Sequence, residues 1–374
     1  MKDPNATAVA HVLICGASFA GLSTAFWMIR LGYTVTVVEI AQSLRKGGTP
    51  VDIRDRTVQI AQRMGILDAV RQHSLPPRRT EFKTADDQTE AWLPPQPGTE
   101  EGFEIERDAL LEILFRQIAG RAEVLFDTSV NAIDDRGDGV SVTLSNGATH
   151  DFALVFGCDG NHSTVRRLCF GKEAAYSHYL GQYFAISIVN HGLIAPNTTQ
   201  IFSVPGKSVM LNSYEDKTDI VFIFHAPDEI PYDRRDLAQQ RQLVAAQFDG
   251  LGWRTPDLLA TWGEADNFYF DKLCQIRMPR WTRGRVALVG DAAYCASPAA
   301  GMGGSLALVG AGALADALGR HPHDVAAAFA DYDADLRPYI DEVQDDAVTF
   351  GLAMFCPTTT EALVARNQQL AAMT

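Results

Sequence analysis

A glycine-rich turn near the start of the chain, between a short apolar segment and an apolar helical pattern, restricts the fold more than any other feature. The segment His11–Cys15 leads into Gly16, Ser18 and Gly21, and a second apolar segment ends at Glu39. A strand, a tight turn, a helix, a second strand and an acid follow one another in dinucleotide-binding units. The sequence therefore predicts an α/β fold that begins with such a unit.

Each residue of this turn has a physical role in holding a dinucleotide. Gly16 permits the tight turn, the amides at the helix start face the pyrophosphate, and Glu39 can accept hydrogen bonds from both ribose hydroxyls. Ser18 stands where the pattern has its second glycine. Its Cβ limits how closely the backbone approaches phosphate, although its hydroxyl can donate to it. The turn alone also fits an ordinary strand–helix connection, and it does not separate FAD from NAD.

Two further turns follow apolar strand patterns later in the chain. Asp159–Gly160 comes after residues 152–156, and Gly290–Asp291 comes after residues 285–289. The second turn leads through Pro298–Gly304 into a long helical pattern of small residues. An aspartate between a strand and a helix can accept a hydroxyl hydrogen bond while the helix amides meet a phosphate. An ordinary helix N-cap is the alternative for Asp291.

The three turns, in this order and spacing, resemble those of the p-hydroxybenzoate hydroxylase family, the single-component class A flavoprotein monooxygenases. Within that family the likeness is greatest to the tetracycline-inactivating and polyketide-tailoring FAD monooxygenases. Local likenesses at Gly47–Ile53, Ile105–Leu111 and Met354–Pro357 extend the resemblance over nearly the whole chain. It is strong for the flavin-binding part and thin between about residues 175 and 275.

The resemblance implies FAD as the cofactor and implies which residues hold it. Pro298 and the glycines after it would give a stiff turn and then bare backbone against the isoalloxazine ring, and the next helix start would stabilise negative charge on reduced flavin. No histidine lies in Arg45–Thr49 to suggest a covalent link. For Arg107 a surface ion pair is the alternative, and for Asp159 an ordinary turn role. The predicted cofactor-binding residues are Gly16, Ser18, Gly21, Glu39, Gly48, Arg107, Asp159, Asp291, Pro298, Gly301, Met302 and Gly303.

The predicted architecture is a Rossmann-like FAD-binding domain, an inserted and mainly antiparallel β-sheet domain for the substrate, and a long C-terminal helix. The expected ranges are 1–80, 100–172 and 275–320 for the first domain, 81–99 and 173–274 for the second, and 321–374 for the helical region. A proline-rich excursion, Trp92–Pro97, is expected to cap the second domain. Strand patterns occur at 183–189, 200–204, 209–213 and 219–225.

One face of the antiparallel sheet should be core and the other a pocket wall, but alternation alone does not say which. In the last strand Phe222 and Phe224 share one face, and Val221 and Ile223 share the other. The candidate substrate-binding residues are Met210, Phe222, Phe224 and Ala299. For each of them an ordinary core position is the alternative.

The resemblance also implies a reaction in which the flavin carries the chemistry and no side chain acts as nucleophile. NADPH or NADH would bind only transiently and reduce FAD. O2 would then add at flavin C4a, and the resulting hydroperoxide would hydroxylate an aromatic or enolic, polycyclic compound. Other FAD oxidoreductases of the same fold (an oxidase, a halogenase or a reductase) remain alternatives, as does a non-catalytic flavoprotein that binds a small aromatic ligand. Tyr294 stands where many members carry histidine, and a packing role is expected for it, as for the small residues Gly310–Ala313.

Composition limits the partners and the compartment. The formal net charge of −14 argues against nucleic acid and anionic membrane surfaces. The six cysteines follow no metal-ligand or disulfide spacing, so we expect no metal and a reducing compartment. No stretch is apolar enough to span a membrane, and residues 1–10 lack a signal-peptide core. We therefore expect a cytoplasmic protein, either monomeric or a homodimer.

Overall fold

A six-stranded sheet forms the centre of the computed structural model, which describes residues 9–95, 102–262 and 267–371. Neighbouring strands are parallel, except for an antiparallel edge strand. In spatial order the strands are Thr282–Arg283 (β17), Val286–Leu288 (β18), Leu154–Gly157 (β11), His11–Cys15 (β1), Thr34–Val38 (β2) and Glu123–Leu125 (β7). The predicted Rossmann-like domain is confirmed.

Two helices rich in small residues pack against each other, and the first of them also packs against this sheet. They are Phe19–Arg30 (α1) and Gly303–Arg320 (α9). Within α9, a Cβ on Gly310 would lie 1.7 Å from the hydroxyl oxygen of Tyr294, and a Cβ on Gly312 would lie 2.5 Å from Ile60. The glycines therefore leave room for neighbouring side chains, which is the packing role expected of the Gly310–Ala313 segment.

A second sheet of seven strands lies beside the first. Its neighbouring strands are antiparallel, except for the parallel pair Thr198–Val204 and Arg79–Lys83. In spatial order its strands are Tyr269–Ile276 (β16), Ser177–Val189 (β12), Lys217–His225 (β15), Lys207–Tyr214 (β14), Thr198–Val204 (β13), Arg79–Lys83 (β4) and Thr89–Leu93 (β5). The mainly antiparallel sheet and its four predicted strands are confirmed. Trp92 lies in the edge strand β5, whereas residues 96 and 97 of the expected proline-rich cap lie outside the described residues.

The two faces of the seven-stranded sheet differ in what covers them. Phe222 and Phe224 are fully buried against helix Leu237–Phe248 (α6), and the ring of Phe222 also lies 5.0 Å from that of Trp262, in helix Thr255–Trp262 (α7). The prediction that these two phenylalanines line a pocket is corrected accordingly, because both belong to the core beneath α6 and α7. The opposite face carries Val221 and Ile223 together with Met210.

The C-terminal helical region begins at an N-cap formed by Asp324 and contains a long helix, as expected. Helix Val325–Asp346 (α10) passes through one π-helical segment, Ala347–Gly351, into the short helix Leu352–Phe355 (α11). Such π-helical turns occur frequently at functional sites. A last helix, Thr360–Ala371 (α12), follows.

Smaller elements complete the described chain. Helices Arg56–Met64 (α2), Leu67–Gln72 (α3), Arg107–Ile118 (α4), Thr164–Cys169 (α5) and Asp291–Tyr294 (α8) connect the strands. Strands Val51–Arg54 (β3) and Gly102–Ile105 (β6) form an antiparallel pair, and Val130–Asp135 (β8), Val140–Leu144 (β9) and Thr149–Phe152 (β10) form a small antiparallel sheet.

Among the described residues, no single helix is long and apolar enough to cross a membrane. Two helical stretches, Val325–Phe355 and Thr360–Gln369, meet that length and composition only when taken together, and they are bent by 100° at their junction. The domain ranges given above stay a prediction.

Candidate functional site

The fingerprint turn closes so tightly that two of its positions accept only glycine. Gly16 has a φ of +107°, and a Cβ on it would lie 2.4 Å from the carbonyl oxygen of Cys158. A Cβ on Gly21 would lie 1.8 Å from the carbonyl oxygen of Gly16. The backbone contacts at both positions place the start of α1 directly at the end of β1. The amides of that helix start carry no side-chain cap and are free to bind an anion.

Glu39 is tied to the same turn. Its carboxylate accepts hydrogen bonds from the amides of Ala17 over 2.8 Å and Ala41 over 2.9 Å, and only 9% of the residue is exposed. A carboxylate offers about four lone-pair positions. Glu39 therefore retains acceptor capacity for the hydroxyls of a ribose while it is fixed in place by the turn.

Arg107 joins two segments that lie far apart in the sequence. Its Nη1 donates to the carbonyl oxygens of Arg45 over 2.8 Å and Gly47 over 2.9 Å, and its Nη2 donates to the Ser18 hydroxyl over 3.3 Å. Gly48 has a φ of +107°, and a Cβ on it would lie 2.7 Å from the Arg107 side chain. Gly48 is therefore the residue that lets the guanidinium approach, and a surface ion pair does not describe Arg107.

Asp291 begins the short helix α8, which follows strand β18 of the six-stranded sheet. Burial raises the pKa of Asp291 to about 6. A hydrogen bond with Cys295 and the nearby charge of Arg107 both lower this pKa, but burial has the larger effect. The carboxyl group thus lies in a poorly solvated place close to the Arg107 guanidinium, and a hydroxyl donor would compensate its burial.

The loop between α8 and α9 presents bare backbone. Ser297 adopts a φ of +84°, which is strained for a residue other than glycine. Pro298, Gly301 and Gly303 are exposed, whereas Met302 is buried at the N-cap position of α9. No side chain caps the first amides of α9, and a Cβ on Gly303 would meet nothing within 4 Å. This helix start is therefore open to a planar, electronegative group.

Asp159 has the turn role named as its alternative. Its carboxylate accepts hydrogen bonds from the Ser163 hydroxyl over 2.5 Å and from the amides of Thr164 over 2.7 Å and Val165 over 3.0 Å. It thereby fixes the turn that contacts Gly16. A direct contact of Asp159 with a cofactor stays a prediction.

Tyr294 is 1% exposed and packs as expected. Its hydroxyl accepts a hydrogen bond from Tyr332 over 3.2 Å, and its ring lies 4.8 Å from that of Trp281.

The remaining predicted substrate residues, Met210 and Ala299, flank the same C-terminal segment. Met210 and Phe355 both pack against the small apolar cluster of Ile186, Val221, Ile223 and Cys356, on the sheet face opposite to α6 and α7. A Cβ on Gly351 would lie 2.2 Å from the carbonyl oxygen of Ala299. The π-helical segment 347–351 thus rests on the loop that contains Ala299, and the chain continues from there to Phe355.

The residues present fit FAD. Two helix starts without side-chain caps, at α1 and α9, suit a pyrophosphate and the carbonyl edge of a flavin. Glu39 and Asp291 suit the hydroxyls of the ribose and the ribityl chain, and Arg107 contacts the turn at Ser18 and carries a charge near Asp291.

Three residues of the site were not predicted. Gln344, from α10, donates to the backbone oxygens of Ile276 and Cys295 over 2.9 and 3.1 Å and so steadies the loop after α8. Ser297 carries the strained backbone, for which the sequence gives no signal. Asp52 lies within the segment Gly47–Ile53, which is predicted to flank the flavin, and its Oδ2 atom lies near Gly301.

Comparison with known proteins agrees with this geometry. An uncharacterised protein of Mycobacterium tuberculosis is 36% identical over 348 residues, covering 89% of this chain and 91% of that protein. A flavin-dependent monooxygenase of Legionella longbeachae is 34% identical over 342 residues, covering 89% and 86%. The crystal structure of tetracycline destructase Tet(51) superposes with a TM-score of 0.86 at 30% identity, covering 98% and 96%.

Residues 9–346 match the family described as FAD binding domain. The chain therefore belongs to the FAD binding domain family of flavoprotein monooxygenases, which confirms the resemblance to the class A enzymes.

Proposed function

We propose that this protein hydroxylates an aromatic or enolic, polycyclic small molecule, using O2 and a reduced nicotinamide. The observation that carries the proposal is a partly open group of apolar side chains, the apolar wall, next to the C-terminal segment that rests on the predicted flavin loop. Phe184, Met210 and Phe355 form it on one face of the seven-stranded sheet, and each is only partly buried.

This wall continues along the C-terminal segment. Phe350 is 62% exposed and precedes Gly351, the residue that contacts Ala299. Large apolar side chains left open at a cleft bind apolar ligands, because contact removes their surface from water. Several such side chains around one loop favour a bulky, flat substrate over a small polar one.

The chain's own residues would position the reactants and keep water away. Bound FAD would supply reduction by the nicotinamide and activation of O2. Glu39, Asp291 and Arg107 would hold its polar parts, and the amides at the start of α9 would stabilise negative charge at the flavin's carbonyl edge. The apolar wall would exclude water from the substrate side.

The reductant is proposed to be NADPH or NADH bound only transiently. The described residues contain one parallel sheet with one fingerprint turn, and the FAD roles above already use that turn. We place the reaction in the cytoplasm, since all six cysteines are unpaired.

Two measurements on purified protein test this function. The protein should be yellow and should release FAD, not FMN, when it is denatured. NAD(P)H oxidation should then be accelerated by members of a panel of phenols and polycyclic enols. Colourless protein that FAD cannot reconstitute, or flavin that stays attached to the unfolded chain, would contradict the cofactor assignment. Equal oxidation rates with and without every compound would contradict the substrate class.

A further inference from the structure

Asp52 places a carboxyl group beside the exposed backbone of the predicted flavin loop. Its Oδ2 atom lies 3.9 Å from the position that a Cβ on Gly301 would take. Apart from the chain neighbours of Gly301, no other atom of the described residues lies within 4 Å of that position. The strand β3 is held there because the Ser305 hydroxyl donates to the carbonyl oxygen of Asp52 over 2.6 Å. The Asp52 carboxyl group therefore lies beside the exposed backbone of Gly301.

The Asp52 carboxyl group is available to a ligand. It is partly buried, and no hydrogen bond or ion pair joins it to any other side chain in the described part of the chain. The residue opposite it in the antiparallel pair is Glu104, whose carboxylate is bound by Arg78 over 2.6 Å. Of this pair of acids, Glu104 is thus paired with an arginine, whereas Asp52 has no such partner among the described residues.

The surroundings of Asp52 favour its protonated form more than water does. Burial raises the pKa of Asp52, and this effect is larger than the opposing effect of the positive charges of Arg54 and Arg78. Arg54 lies on its own strand, Glu104 lies on β6, and Arg78 precedes β4. The loop and helix start at 298–305 contribute no titratable side chain. A base works best when its pKa approaches the working pH.

We propose that Asp52 accepts the proton of the substrate's phenolic or enolic hydroxyl group. This inference rests on the proposed function. In the step, the substrate O–H bond breaks, an O–H bond to the Asp52 carboxylate forms, and the electron pair stays on the substrate oxygen. The phenolate or enolate that results is richer in electrons at the carbon to be hydroxylated. No oxidant or reductant is consumed in the step.

The test follows the ionisation of a bound phenol and needs no turnover. Oxidised, FAD-loaded protein is mixed with 4-nitrophenol, whose ionised form absorbs visible light, and difference spectra are recorded over a pH series. The variants are Asp52→Asn, which removes the base, and Asp52→Glu, which keeps a carboxylate. Asp55→Asn is the matched control, because Asp55 is exposed three residues away and asparagine tolerates its φ of 50°.

The wild type, Asp52→Glu and Asp55→Asn should show the phenolate band of bound 4-nitrophenol, and Asp52→Asn should lose it while keeping its FAD. With a panel compound that is turned over, kcat for Asp52→Asn should fall about 100-fold or more. A phenolate band retained in Asp52→Asn, or no such band in the wild type, overturns the proposal. If the spectra behave as expected and no compound is hydroxylated, the proposed function fails while the role of Asp52 as proton acceptor stands.

Discussion

Arg107 Nη2 donates a hydrogen bond to the hydroxyl oxygen of Ser18 over 3.3 Å. Ser18 stands where the fingerprint pattern has a glycine. Its hydroxyl, which glycine would lack, is bound by Arg107 at the start of α4. The guanidinium also binds the carbonyl oxygen of Gly47 over 2.9 Å. One side chain thus connects the pyrophosphate turn to the segment that flanks the proposed flavin ring.

Arg107→Ala should weaken FAD binding by about 1.5–3 kcal/mol, or roughly one to two decades in Kd, because charge-assisted hydrogen bonds are lost. Arg107→Lys should recover little, since an ammonium cannot reach both segments with fixed geometry. Titration of apoprotein with FAD measures the effect. Arg116→Ala is the matched control on the same helix, where the side chain is 73% exposed, and it should leave the affinity unchanged. Equal affinity in Arg107→Ala and Arg116→Ala would refute this role.

Asp291 should make FAD affinity depend on pH. Its pKa of about 6 in the folded apoprotein lies above the ordinary value of 3.8 expected for the unfolded chain. Because the folded state binds the proton more tightly, the free energy of unfolding of the apoprotein should rise as the pH falls from about 6 to about 4. The protonated acid is a poorer hydrogen-bond acceptor, and FAD affinity should therefore fall by up to about tenfold per pH unit below about pH 6.

Isothermal titration at several pH values measures this dependence. Asp291→Asn should bind FAD more weakly and with a flat pH profile, and Asp291→Ala should lose about one to two decades of affinity. Glu39→Ala should weaken binding similarly. Asp316→Ala, on the exposed side of α9, serves as the control. A wild-type affinity that is constant through pH 6 would argue against the placement of a ribityl hydroxyl at Asp291.

Gly310→Ala should destabilise the protein by about 1–3 kcal/mol through overpacking against the Tyr294 hydroxyl. Tyr294→Phe in the same chain should relieve part of this loss, and a double-mutant cycle by urea unfolding measures the coupling. Gly319→Ala, where the nearest atom to the added Cβ is 3.8 Å away, should cause no loss. Equal effects at positions 310 and 319 would mean that helix α9 does not pack on Tyr294.

His162 should make the stability of the protein depend on pH in the same sense as Asp291, with stability falling as the pH rises, but at higher pH. Its ring nitrogens contact Asp271 at 2.9 Å and Glu173 at 3.1 Å. Burial lowers its pKa, but the hydrogen bonds to these two carboxylates outweigh burial and raise it above 6.5. The stabilisation should be complete below about pH 6.5 and should be lost as the pH rises through the folded-state pKa. Urea unfolding over a pH series measures it, and His162→Gln should lack this loss; a loss of the same size in both proteins would exclude His162 as its source.

The parts of the site that were predictable depend on local chemistry. The roles of Gly16 and Gly21 could be predicted from the sequence, because a tight turn and a close helix–strand contact each exclude a Cβ. The turn at Gly290 and Asp291 could be predicted for a similar reason, since these residues join a strand to a helix within a few residues. Such requirements leave a pattern in the sequence wherever the fold occurs.

Features that depend on distant contacts were not predictable. Phe222 and Val221 alternate along one apolar strand, and only the position of α6 decides which face becomes core. Strand β4 pairs in parallel with β13 across more than a hundred residues of chain, and its sequence contains no sign of that partner. The contact of Gly48 with Arg107 likewise required the assembled fold.

The most direct test of the account is oxygenation under labelled O2, with mass spectrometry of the product from any compound that accelerates NAD(P)H oxidation. One labelled oxygen atom should enter a phenolic or enolic compound, most readily a polycyclic one, and it should do so only with FAD-loaded protein. Hydrogen peroxide alone, with no label in any organic product, would contradict monooxygenation and indicate an oxidase or an uncoupled binding protein.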